Sequence, residues 1–122
     1  MNCAKAPCKS CPYRKDVPSG LWHSDEYDKL PEYDGSIAEQ AMNGATSVFM
    51  CHQQDGRLCA GWVATHKSEL LALRIRASDI DASVWDYESP VPVFSSGKDA
   101  SDHGKRDIVE PSVAAVSAIK IL

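Results

Sequence analysis

Four of the five cysteines fall into two clusters, and that arrangement constrains the fold more than any other feature of the chain. The first cluster is Cys8-Lys9-Ser10-Cys11, followed by Pro12, Tyr13 and Arg14. The second is Cys51-His52, with Cys59 after a short polar loop and then Ala60-Gly61-Trp62. A C-x-x-C turn points two sulfurs at one centre, and the second cluster brings further ligands from a distant part of the chain. A metal joining two remote segments shrinks the unfolded ensemble and adds its binding energy to folding. That help matters here, because 122 residues make one small domain with a modest core.

Composition narrows the class. Hydrophobic residues are 43% of the chain and charged residues 25%, the balance of a soluble globular protein. A net charge of −4 and a pI near 5.5 argue against direct nucleic-acid binding, which needs a basic footprint. No apolar run approaches a membrane span, and Met1 to Cys8 lacks the apolar stretch of a secretion signal. The expected location is cytoplasmic. Thiols stay reduced there, so clustered cysteines serve as metal ligands or redox groups rather than structural disulfides.

The local pattern predicts a mostly α domain (small α or α+β) with short helices and at most a short strand or hairpin. Pro7, Pro12, Pro18 and Gly20 forbid a long helix in the first 20 residues. Ser24 is a candidate cap for a short helix that turns Tyr27 and Leu30 inward and stops at Pro31. Ser36 caps a second helix through Asn43, ended by Gly44. Thr46 to Met50 reads as a short extended stretch, and residues 53–57 as a turn signalled by Asp55-Gly56. One long helix is predicted from Cys59 to Ala77, with Trp62, Val63, His66, Leu70, Leu73 and Arg74 at helical spacing. Ser78 then offers a cap for a short helix around Ile80 and Trp85, and Pro90 and Pro92 keep Ser89 to Phe94 extended. The predicted organisation is a metal-centred domain over 1–94, a mobile polar linker over 95–107 and an apolar C-terminal segment over 108–122, helical or docking.

The predicted ligands are Cys8, Cys11, Cys51 and Cys59, around either a zinc ion or an iron–sulfur cluster. His52, His66 and Cys3 are possible alternative ligands, the histidines also hydrogen-bond donors to a sulfur. Cys3, Cys8 and Cys11 share the C-x4-C-x2-C spacing of plant-type [2Fe–2S] proteins, but Cys3 lies where chains fray and its use would leave Cys59 idle. Tyr13, Phe49 and Trp62 stand near the ligands in sequence and are predicted to shield the centre from water. A thioredoxin-like dithiol is disfavoured, since no strand precedes Cys8 and Pro12 follows Cys11. No phosphate loop, nucleophile elbow or complete deaminase signature is present, so a non-enzymatic role is expected.

At these residues the chain resembles an uncharacterised family of small cysteine-motif proteins from actinobacteria and their phages. The similarity runs through Pro7 to Gly20, Phe49-Met50-Cys51-His52 and Cys59-Ala60-Gly61-Trp62. A more distant resemblance is to WhiB-like regulators, which hold a [4Fe–4S] cluster and bind a sigma factor. Cys8, Cys11, Pro12 and Arg14 match their Cys-x-x-Cys-Pro-x-Arg element, and Gly20-Leu21-Trp22 loosely matches their Gly-x-Trp. Their next cysteine and basic tail have no counterpart here. The resemblance implies a [4Fe–4S] protein that acts through a protein partner, with host RNA polymerase or a sigma factor as the partner in a phage setting. Arg14 and Trp22 are the residues expected to meet it. The alternatives are a zinc-stapled interaction domain on the same cysteines and a redox or electron-transfer protein.

Overall fold

Three stretches of chain meet at Leu58. In the computed structural model, which describes residues 1–51 and 53–106, Leu58 is bridged in parallel to Cys3 and antiparallel to Met50. The Leu58 N–H donates to the Asn2 carbonyl and the Ala4 N–H to the Leu58 carbonyl, both at 3.0 Å. Cys51 N–H to the Arg57 carbonyl and Cys59 N–H to the Phe49 carbonyl, each 2.8 Å, close a narrow hairpin over the expected Asp55-Gly56 turn. Thr46 to Met50 therefore supplies one bridge rather than a strand. The first residues, expected to fray, are paired to the hairpin, and Cys3 is buried there. A third bridge, Arg14 to Val93, lays the expected extended segment alongside the chain leaving the C-x-x-C turn.

The remaining architecture is helical, as predicted. α1 (Ser24–Asp28) begins at the expected cap itself, because His23 caps it instead, its ring accepting the Asp25 N–H at 3.2 Å. Pro31 does not stop the chain. It occupies the opening of a 3-10 turn, Leu30–Tyr33, where a missing N–H costs nothing. Tyr27 and Leu30 are buried as expected. α2 (Ile37–Met42) has the anticipated Ser36 cap, completed by Glu39 as a reciprocal capping box.

The single long helix is interrupted. α3 covers Ala60–His66, a 3-10 turn covers Lys67–Glu69, and α4 covers Leu71–Ile75. Lys67 adopts a positive φ of 52° at the break. Burial explains the redirection: Trp62 and Val63 before the break and Leu70 and Leu73 after it all reach the core. The fully buried Gln40 side chain fills the gap. Its amide donates to the Glu69 carbonyl at 2.7 Å and the Gly35 carbonyl at 3.2 Å, and accepts the Leu71 N–H at 3.0 Å. A third 3-10 turn, Ala77–Asp79, includes Ser78 in place of the expected cap, and α5 spans Ala82–Trp85.

The stretch 95–107 read as a linker carries α6 (Gly97–Lys105), capped by Ser96 and packed on α1 and the Leu30–Tyr33 turn. Its buried residues are Gly97, Ala100, Ser101 and Gly104. They are small rather than apolar, which is why hydropathy missed them. A Cβ at Gly104 would collide with the Tyr27 ring, and one at Gly97 with the Leu30 carbonyl. The apolar segment 108–122 lies outside the described residues.

Two stability measurements check this packing by urea denaturation. Gly104→Ala should destabilise the protein by about 1–3 kcal/mol through overpacking, although alanine is the better helix former by about 1 kcal/mol at an open site. Gln40→Leu should cost about 2–4 kcal/mol, because it strands two buried carbonyls and one N–H.

Candidate metal centre

The C-x-x-C turn is built from consecutive tight turns. The Cys11 N–H donates to the Cys8 carbonyl at 3.0 Å and the Arg14 N–H to the Cys11 carbonyl at 3.1 Å. Three side chains brace it. The Trp22 indole N–H donates to the Ser10 carbonyl at 2.8 Å, Gln53 donates to the Ser10 hydroxyl at 3.0 Å, and Arg14 reaches the Pro7 carbonyl at 3.1 Å. Arg14 is also clamped by Asp16, at 2.5 and 3.1 Å. Arg14 and Trp22, the residues expected at a partner surface, are half-buried and brace the cysteine turn.

The second cluster arrives on the hairpin, which delivers Cys59 as the residue preceding α3. Gly61 in the first turn of α3 then meets the C-x-x-C turn. A Cβ there would lie 2.5 Å from Cys11 Sγ and 2.8 Å from the Tyr13 Cβ, so only glycine permits this approach. It places Cys11 Sγ and Cys59 Sγ 3.7 Å apart, both buried. Cys51 is buried against Ala4 and Ala60, and Cys8 packs on the same cluster from a less buried position.

The electrostatics of the four sulfurs are coupled. The hydrogen bond from Cys59 lowers the Cys11 thiol, burial opposes this, and N–H groups of Tyr13, Arg14 and Gly61 directed at the sulfur assist it. Cys59 is correspondingly raised well above the usual thiol range, first by that shared proton and then by burial, against the Trp62 N–H. The two thiols shift in opposite directions because they share one hydrogen bond, at 3.7 Å. Burial raises Cys8, its Ser10 hydroxyl and N–H contacts oppose this, and the neighbouring charges of Cys11 and Cys51 raise it further. Among the described residues, no three histidine, cysteine, aspartate or glutamate side chains converge closely enough to hold one ion.

The other predicted site residues sort as follows. Cys3 sits at the Leu58 bridge, its thiol raised by burial. His52 lies outside the described residues. His66, a possible ligand or sulfur donor, has both ring nitrogens engaged elsewhere: Nε2 is 3.4 Å from the Tyr13 hydroxyl and Nδ1 is 3.7 Å from Asp34. Asp34 in turn accepts the Gly97 and Lys98 N–H groups at 2.7 and 2.9 Å, tying α6 to this network. Tyr13, Phe49 and Trp62 are brought together: Phe49 stacks on Trp62 at 6.3 Å and meets Tyr13 edge-on at 6.0 Å. The Trp62 indole N–H is buried without a hydrogen-bond acceptor.

Two residues went unnoticed in the sequence. Tyr33 packs edge-on against Trp62 at 5.5 Å and completes the aromatic cluster. Tyr87 lies by the sulfurs and donates to the Lys5 carbonyl at 2.8 Å. Burial, then the charges of Cys3, Cys11 and Cys59, push its phenol up to about 12. The periodicity of Leu30 to Tyr33 marks Tyr33 as an inward candidate. Nothing in the polar context Asp86-Tyr87-Glu88 singles out Tyr87.

The chain matches the model of a family of unknown function, DUF6283, over residues 3–117. No curated protein and no solved structure matches it. Among the described residues, no helix is long and apolar enough to cross a membrane.

The buried His66 makes a pH prediction. Burial lowers its pKa to about 4, with Asp34 opposing. The neutral ring is therefore favoured by folding. Its contribution is fully present above the unfolded value of about 6.5 and is lost as pH falls from there through about 4, by a total of about 3 kcal/mol. Urea midpoints from pH 8 to 4 should show wild type losing more stability on acidification than His66→Gln.

Proposed function

The chain belongs to the DUF6283 family of unknown function, and we propose that it is a thiolate-ligated metal protein whose group, a [4Fe–4S] cluster, is held by Cys8, Cys11, Cys51 and Cys59. The carrying observation is the meeting of two buried sulfurs from remote segments, Cys11 and Cys59, 3.7 Å apart, an approach that only glycine at position 61 admits. Thiols brought together from two clusters in this way suit ligands of a shared centre better than separate buried hydrophobes. Electrostatic coupling of Cys8 with Cys11 and Cys51, and of Cys59 with Cys11 and Cys8, supports a common centre for all four. The aromatic cluster supports it too, since it limits water on one side.

The choice of a cluster rests on the WhiB-like resemblance of Cys8, Cys11, Pro12 and Arg14, and on the aromatic residues gathered beside the sulfurs. Such a group supplies one-electron redox chemistry and a rigid cross-link. One distance favours a zinc reading: sulfurs on a single tetrahedral ion lie about 3.8 Å apart with bonds of about 2.3 Å, and Cys11 and Cys59 are separated by 3.7 Å.

On this reading the protein acts by contact with a protein partner in the cytoplasm. The WhiB-like resemblance makes transcription machinery, as a phage-type modulator would target it, the first class to try. Arg14 and Trp22 contribute indirectly, by bracing the ligand turn.

Anaerobic purification with metal analysis and a visible spectrum tests the centre. The expected protein is brown, with about four irons per chain. Cys11→Ser and Cys51→Ser should lose metal and cooperative unfolding, while Cys3→Ser keeps both. A colourless protein with one equivalent of zinc establishes the zinc reading instead. A folded protein without metal rejects both.

A further inference from the structure

Cys11 and Cys59 are close enough to react with each other. Their sulfurs are 3.7 Å apart, against about 2 Å in a disulfide, a difference that small side-chain rotations can close. Both residues are buried, so an oxidant in solution does not meet them first. Cys8 is the least buried of the four cysteines. Its sulfur lies 3.6 Å from the Ser10 hydroxyl, and the 3.0 Å bond from the Cys11 N–H to its carbonyl closes the turn that carries both cysteines.

We propose that this site is also a modification site, at which a hydroperoxide oxidises Cys8 and the oxidation is passed inward to an internal Cys11–Cys59 disulfide. Cys8, the thiol nearest the solvent, loses its proton to water and its sulfur attacks the terminal oxygen of the hydroperoxide; an S–O bond forms, the O–O bond breaks and an alcohol (water, for hydrogen peroxide) leaves after protonation. Cys11 attacks the resulting sulfenic sulfur, forming the Cys8–Cys11 bond and releasing water. Cys59 then attacks the Cys11 sulfur across the short gap, and Cys8 leaves as the thiolate. In net terms two thiols lose two electrons and two protons, and the peroxide is reduced to an alcohol and water.

The inner disulfide outlasts the first one because its partners are shielded from external thiols. Its formation removes two of the four proposed ligands and so releases the metal. That consequence rests on the metal reading, whereas the disulfide itself does not.

The sequence suits a direct test. Lys5, Lys9, Arg14, Lys29, Arg57 and Lys67 let trypsin place Cys8, Cys11, Cys51 and Cys59 in four different peptides. The full chain, purified anaerobically and assayed for metal, is treated with one equivalent of hydrogen peroxide, blocked with N-ethylmaleimide and mapped by mass spectrometry. The expected end product is a cross-link between the Cys11 and Cys59 peptides. Cys8→Ser should form the same cross-link about tenfold or more slowly, and Cys3→Ser at the wild-type rate. A final cross-link to Cys8, Cys51 or Cys3, or sulfinic acids without a cross-link, overturns the proposal. An unchanged rate in Cys8→Ser removes Cys8 from it. Metal present with no Cys11–Cys59 link leaves the metal reading standing and this one refuted; the link without metal does the reverse.

Discussion

The close approach of α3 to the Cys11 turn is the constraint on which the rest of the structure depends. It requires Gly61, because any Cβ there would run into the Cys11 sulfur and the Tyr13 side chain. It also requires the hairpin, whose two 2.8 Å backbone bonds deliver Cys59 to the start of α3. With both in place, a sulfur from the leading segment meets a sulfur from mid-chain, 3.7 Å apart and both buried.

From this contact a second layer extends outward. Tyr13, two residues after Cys11, is fully buried and couples the cysteine turn to His66 at the end of α3. His66 faces Asp34, and Asp34 receives the first N–H groups of α6. Asp34 thereby supplies the negative charge that a helix N-terminus favours. The chain of contacts joins the cysteine site to the helix packed on Tyr27 and Leu30. Packing and polar satisfaction act together along it: among the described residues, the Trp62 indole is the one buried side-chain nitrogen or oxygen without a hydrogen-bond partner.

The sequence displayed what depends on local chemistry. Ser36 and Glu39 form a reciprocal cap because both groups lie within one turn, and Asp55-Gly56 turns the chain wherever it occurs. Buried positions such as Tyr27, Leu30, Trp62 and Leu73 follow from their spacing. The break at Lys67 was hidden, since the backbone groups it leaves open are served by Gln40, which lies 29 residues from the Glu69 carbonyl. α6 was hidden for a different reason. Its buried face is made of Gly97, Ala100, Ser101 and Gly104, whose smallness fits the Tyr27 ring and whose hydropathy resembles that of a linker. The bracing of the cysteine turn by Arg14 and Trp22, through hydrogen bonds to the Pro7 and Ser10 carbonyls, was not legible in the sequence.

By itself the sequence determined the short capped helices, the turns, the inward-facing side chains and the presence of two thiol clusters, because each is set within a few residues of chain. Only the tertiary structure decided which sulfurs touch, that Cys3 belongs to the Leu58 bridge, that His66 faces Tyr13 and Asp34, and that a polar stretch is a packed helix. Those outcomes depend on the distance between segments remote in sequence, and that distance is set by backbone pairing at Leu58 and by how closely glycines let two chains approach.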